Sequence, residues 1–168
     1  MNISASDIIL FAHAGFGVAG TLAALWVFVE ALHARPESAP TVPRASWIRG
    51  AALVSALCIA AAWICGGYWY VVFYPADKAL ILAGPWPFAH NLFMETKEHL
   101  FFAVAMLAFL LPVAAREAPW ENAAARRLIL AVSGLVVITA MAVEGAGAVI
   151  EHGVRLALIH STGGGAHQ

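Results

Sequence analysis

The stretch FMETKEHLFFAVAMLAFLLP, Phe93 to Pro112, places Glu95, Lys97, Glu98 and His99 directly before twelve apolar residues. Two carboxylates and an imidazole in such a place can ligate a metal, orient a haem or carry a proton. Residues of the same kind recur in other apolar stretches: His13 in FAHAGFGVAG, Glu144 in VVITAMAVEGAGAVI, and Glu151 and His152 just after it. Glu144 is the most demanding, because an unpaired charge inside such a segment costs several kcal/mol. It must be protonated, paired, bound to a metal or in contact with a water-filled cavity.

Helical spacing adds a pattern. His13, Gly17 and Gly20 fall at i, i+4 and i+7, and so make one stripe. His99, Ala103 and Met106 form a second stripe, and Gly145, Ala148 and His152 a third. A histidine above small residues suits a flat macrocycle: the imidazole is an axial ligand and the missing side chains make room. The sequence therefore nominates His13, His99 and His152 for haem b, with Gly17 and Gly20 beneath the ring. His13 with His99 is the preferred axial pair, and His152 the substitute for either. The same region supplies a non-haem set for iron, copper or zinc: His13, Glu95, His99, Glu144 and His152, with Glu98 as an adjacent base. Glu95 and His99 share a face at i, i+4. ETKEH is not the Glu-x-x-His signature of di-iron bundles, which also need carboxylates from all four helices.

Plainer readings stand beside these. Glycine and alanine columns in membrane helices are commonly packing seams, and histidines near helix ends, His90 above all, can simply be solvated at the headgroups. GFGVAG, Gly15 to Gly20, matches a dinucleotide fingerprint only in letters, because it lies inside an apolar span and not after a strand. Gly66 and Gly67 permit close approach, and Tyr68 and Tyr70 can hydrogen-bond a cofactor edge or a quinone head group; as belt residues they need no such role. Glu30 and His33 share a face at the other end of their stretch, and two such residues are not expected to make a second site.

The elements that must position these residues follow from composition. Of 168 residues, 62% are hydrophobic and 11% charged, where a soluble domain carries about a quarter charged residues. So much apolar surface must face a lipid bilayer. A net charge of -1 argues against a nucleic-acid partner. Cys58 and Cys65 lie in one apolar run and imply no disulfide. The first apolar stretch has no basic leader and is expected to be retained as a span.

Four stretches reach the roughly 20 residues that a bilayer requires: about 7–32, 48–74, 90–115 and 127–152. The links at 35–44 and 116–127 are short and polar, with Asn122 or Glu121 near the start of the last helix. Between the second and third spans Pro75, Pro85 and Pro87 break helix, while KALILAG forms a short interfacial turn. A flexible tail is expected at 161–168. Arg35, Arg44, Arg49, Arg116, Arg126 and Arg127 on one side, against Lys78, Lys97 and Arg155 on the other, put both termini outside the cytoplasm. Tyr68, Trp69, Tyr70, Tyr74 and Trp86 form an aromatic belt at the outer face, Trp47 and Trp120 at the inner. The expected fold is all-α: one integral membrane domain over residues 1–168, a four-transmembrane-helix up-down-up-down bundle in a bacterial inner membrane.

Depth then groups the chemistry. His99 lies roughly 25 Å above Arg116, Glu144 roughly 26 Å above Arg127 and His13 roughly 33 Å above Arg35, all toward the outer face. Three functional readings follow. One is a b-type cytochrome-like redox subunit passing electrons between quinone and an outer-side partner, among other membrane or outer-side redox subunits. Another is a non-haem His/Glu metal site, catalytic or for metal handling. The last is a non-catalytic membrane anchor of a larger complex.

Overall fold

The structure, a computed structural model, describes residues 3–34 and 42–163. Arg35, His167 and residues 164–168 of the expected tail lie outside the described residues. Within them the chain is all-helical, with no strand: α1 (Ala5–His33), α2 (Val42–Val72), α3 (Tyr74–Ala83), a π-helical segment (Ala89–Met94), α4 (Glu95–Ala114) and α5 (Ala123–Gly163). Four stretches, Ala5–His33, Ala45–Val72, Ala89–Ala114 and Ala123–Thr162, are long and apolar enough to cross a membrane, in agreement with the expected spans.

Around the bundle the order is α1, α2, α4, α5, with α1 packed on α2 and α5, and α4 on the same two neighbours. Many of the closest seams are made by small residues, and many bulky ones face outward. Ala24, Ala31, Ala52 and Ala108 are 0% exposed, whereas Phe11 and Met106 are 74% exposed. In lipid there is no hydrophobic drive to bury large side chains, so close packing selects small residues for the seams and sends bulky ones outward.

The helix ends are satisfied individually. Ser4 and Asp7 make a reciprocal capping box on α1, and the side-chain oxygen of Asn122 accepts from the amides of Ala124 and Ala125 at 2.9 and 3.2 Å. At the same end of the bundle, Arg126 donates to the carbonyls of Ala31 (2.9 Å) and Leu32 (2.8 Å). Arg49 donates to the carbonyl of Arg116 at 2.9 Å. Guanidinium groups thus close the C-termini of α1 and α4, where carbonyls lack helical partners.

Pro75 ends α2 as expected: that helix stops at Val72, and Pro75 stands in the first turn of α3, where its fixed φ is favourable and no N–H is missed. Two expectations change. Residues 78–83, expected as a turn, are helical in α3. The last helix does not stop near 152 but runs to Gly163, so Ser161–Gly163 are helical. The reason is packing. Gly153 receives Ala89, whose Cβ would lie 2.8 Å from an added Cβ, and Gly84 receives Ala157 in the same way at 2.7 Å. α3 and the π-helical segment therefore give the extra turns of α5 a surface.

Candidate functional site

Charged and imidazole side chains enter the bundle interior at the end capped by α3. His13 is buried, and its Nδ1 donates to the carbonyl oxygen of Ala62 on α2 at 2.8 Å. A carbonyl only accepts, so Nδ1 carries the proton and Nε2 of the neutral ring is left as acceptor or ligand. The ring fits only because residue 66 is glycine: a Cβ there would lie 2.5 Å from Nδ1 and 2.7 Å from Cε1.

The stripe below His13 faces inward as expected, but neighbouring side chains fill it. At Gly17 a Cβ would meet Oε1 of Glu144 at 2.5 Å, and at Gly20 one would meet Ile59 at 3.0 Å and Cys58 at 3.2 Å. No glycine among the described residues has a positive φ; these glycines serve close approach. Lys97, from α4, enters the same region with its ammonium against Gly147, where a Cβ would lie 3.1 Å away. Among the described residues neither Lys97 nor Glu144 is in an ion pair or hydrogen bond, although each lies within the other's field.

His13, Met94 and Lys97 form a wall between two cavities. The lateral one, about 240 Å³, lies between α2 and α4 and is lined by Trp63, Gly66, Gly67, Tyr70, Glu98, Phe101 and Phe102 in addition to that wall. The larger, about 460 Å³, lies between α1, α3 and α5 and includes Asp77, Glu144, Glu151 and Arg155. Tyr70 and Glu98 share the wall of the lateral cavity. One Glu98 oxygen, Oε1, is buried with no hydrogen-bond partner among the described residues, a state that calls for a proton, a water or a ligand.

A second polar group adjoins the lateral cavity. Tyr74 is 1% exposed and stacks on Tyr70, centroids 5.2 Å apart and planes 22° apart. Its hydroxyl donates to Nδ1 of His90 at 3.0 Å, while Nε2 of His90 faces Oε1 of Glu95 at 3.9 Å. Burial first, with Tyr70 and Asp77 adding to it, pushes the Tyr74 hydroxyl well above the ordinary tyrosine value. Burial likewise pushes the Asp77 carboxyl up.

Of the predicted ligands, His13 and Glu144 are brought together, with Glu151 on the same cavity. His99 and His152 are not: both are exposed. His99 donates from Nδ1 to the carbonyl of Glu95 at 2.6 Å, and His152 makes an edge contact with Trp86, centroids 5.0 Å apart. Helix phase explains this. The inward row of α4 is Met94, Lys97, Phe101, Val104, Ala108, Leu111, and the His99, Ala103, Met106 row lies on the opposite, exposed face. Glu95 is exposed too. No group of three or more His, Cys, Asp or Glu able to hold a metal occurs among the described residues.

Lys97, His90 and Tyr74 were not nominated from sequence. The signal for Lys97 was its phase: it sits four before Phe101 and seven before Val104, on the row whose continuation, Ala108 and Leu111, is uniformly small or aliphatic. Tyr74 and His90 carried no such signal, because their contact depends on where α3 folds back.

Comparison with known protein families, curated proteins and solved structures finds no match. Fold and site therefore define a class and no more: a helical membrane protein whose four apolar spans enclose a polar cluster between two cavities.

Proposed function

We propose that this protein is a membrane redox subunit that binds the head group of a lipid-borne quinone in the lateral cavity. In this reading the chain is an up-down-up-down bundle in a bacterial inner membrane, with both termini and the site on the outer side, and it exchanges electrons with an outer-side partner. Arg49, Arg116, Arg126 and Arg127 gather at the end away from the site, which supports that orientation. One observation carries the reading: an aromatic slot lined by Gly66 and Gly67 brings together His13, Lys97, Tyr70 and Glu98, and Oε1 of Glu98 is left without a partner among the described residues. Few convergent polar groups in an apolar pocket are what a ring with oxygen at two poles needs. About 240 Å³ suits one substituted ring and not a four-pyrrole macrocycle.

A b-type haem is a second reading, and one observation favours it. The Nδ1–carbonyl bond of His13 is the kind that orients an axial imidazole. His13 would be one residue holding such a group, and His99 and His152, both exposed, would not join it.

One preparation tests both. The protein, purified in mild detergent, is titrated with a short-tailed benzoquinone while tryptophan fluorescence is followed, with Trp63→Phe as the control for position. Gly67 lines the slot and a Cβ there meets nothing within 4 Å, so Gly67→Leu adds bulk at the wall of the slot. Saturable binding in the wild type and its loss in Gly67→Leu are expected; equal binding in both places the ligand elsewhere. A sharp α band on dithionite reduction transfers the reading to haem, and a featureless spectrum removes haem.

A further inference from the structure

We infer that Lys97 is the specificity-determining residue of the lateral cavity: its ammonium takes an oxygen of the bound ring, so the site selects rings that carry a carbonyl or phenolic oxygen at that pole. The inference rests on the quinone reading and deepens it. Lys97 lies on the inward row of an apolar helix yet makes no ion pair or hydrogen bond among the described residues. An intramembrane cation left in this state is held for a partner that comes and goes. Together with His13 and Met94 it lines both cavities, so its three N–H donors can divide between a ligand on one side and water on the other.

The neighbours narrow the donor role to Lys97. His13 spends its proton on Ala62 and offers an acceptor at Nε2. Tyr70 has the Glu98 carboxylate on the same cavity wall as an acceptor for its hydroxyl. Trp63, the other N–H on the cavity, is 52% exposed on the lipid side. Two glycines keep the cation available. Gly147 provides the notch in which Nζ rests, and Gly17 seats the carboxylate of Glu144, so the two charges share the larger cavity without closing on each other.

The test compares a short-tailed benzoquinone with an alkylbenzene of the same tail, on the full-length wild type and on Lys97→Met. The wild type is expected to prefer the quinone by about tenfold, the effect of one charge-assisted hydrogen bond. Lys97→Met should lose that preference while its affinity for the alkylbenzene is unchanged, a difference that a merely structural lysine would not produce. If Lys97→Met binds both ligands as the wild type does, the inference fails and the cavity reading stands. If the wild type binds neither ligand, both fail. Should Lys97→Met not fold, the wild type alone decides: equal affinity for quinone and alkylbenzene overturns the role of Lys97.

Discussion

The imidazole of His13 donates from Nδ1 to the carbonyl oxygen of Ala62, 2.8 Å away on the adjacent helix, and it does so across a glycine. That bond fixes which nitrogen of His13 faces the cavities, and Gly66 is the condition for it. Gly66→Ala should therefore destabilise the protein by about 1–3 kcal/mol, as overpacking does. Gly67→Ala meets nothing and should stabilise by about 0.5–1 kcal/mol from helix propensity alone. Thermal unfolding in detergent reads both. Two neutral results would mean that the ring does not lie against Gly66.

Gly17 and Glu144 make a similar pair between α1 and α5. Gly17→Ala drives a Cβ into the carboxylate, and Glu144→Ala removes the obstacle. A double-mutant cycle should give a coupling of at least about 0.5 kcal/mol, the double variant being more stable than the sum of the singles predicts. Additivity would separate the two residues.

Tyr74 links a hydrogen bond to a pH dependence. Tyr74→Phe removes the bond to His90 and should cost about 1–2 kcal/mol at neutral pH. The folded hydroxyl titrates above its unfolded value because of burial first. Below about pH 10 both states keep the proton and the contribution is complete. As pH rises past that point the unfolded chain ionises first, so stability falls toward the folded value. Unfolding curves from pH 8 to about 11 should show this alkaline loss in the wild type and a weaker one in Tyr74→Phe; parallel curves would contradict it.

At the opposite end, Arg126→Ala loses two bonds to carbonyls of α1 and should destabilise by about 1–3 kcal/mol. Arg127→Ala, an exposed neighbour of equal charge, should be neutral within about 0.5 kcal/mol. Equal losses would assign the effect to charge and not to the cap.

Much of this architecture was legible in the sequence, because span length is set by bilayer thickness and the four apolar runs have that length. The start of the last helix was legible to within a residue, at Asn122 or Glu121, and the side-chain bonds of Asn122 to Ala124 and Ala125 decide it. Stripes were harder. The His13 stripe faces inward and the His99 and His152 stripes face outward, yet all three show a histidine over small residues. What separates them is the bulk of the side chains beside them, since Phe102, Met106 and Phe109 mark the lipid face of α4. The fold-back of α3 was hidden altogether: KALILAG has the composition of an interfacial turn, and only its packing against Gly153 and Ala157 reveals why it is a helix.

The arginine bonds have one more consequence, a mechanical one. At one end guanidinium groups stitch α1 to α5 and α2 to α4 through their backbones. At the other the helices are held apart by a cavity on either side of the His13 wall. A body clamped at one end and hollow at the other behaves as a pair of tweezers: compliance concentrates at the tips. A small splay between α2 and α4 there widens the mouth of the lateral cavity toward the lipid while the clamped end keeps the register of all four helices.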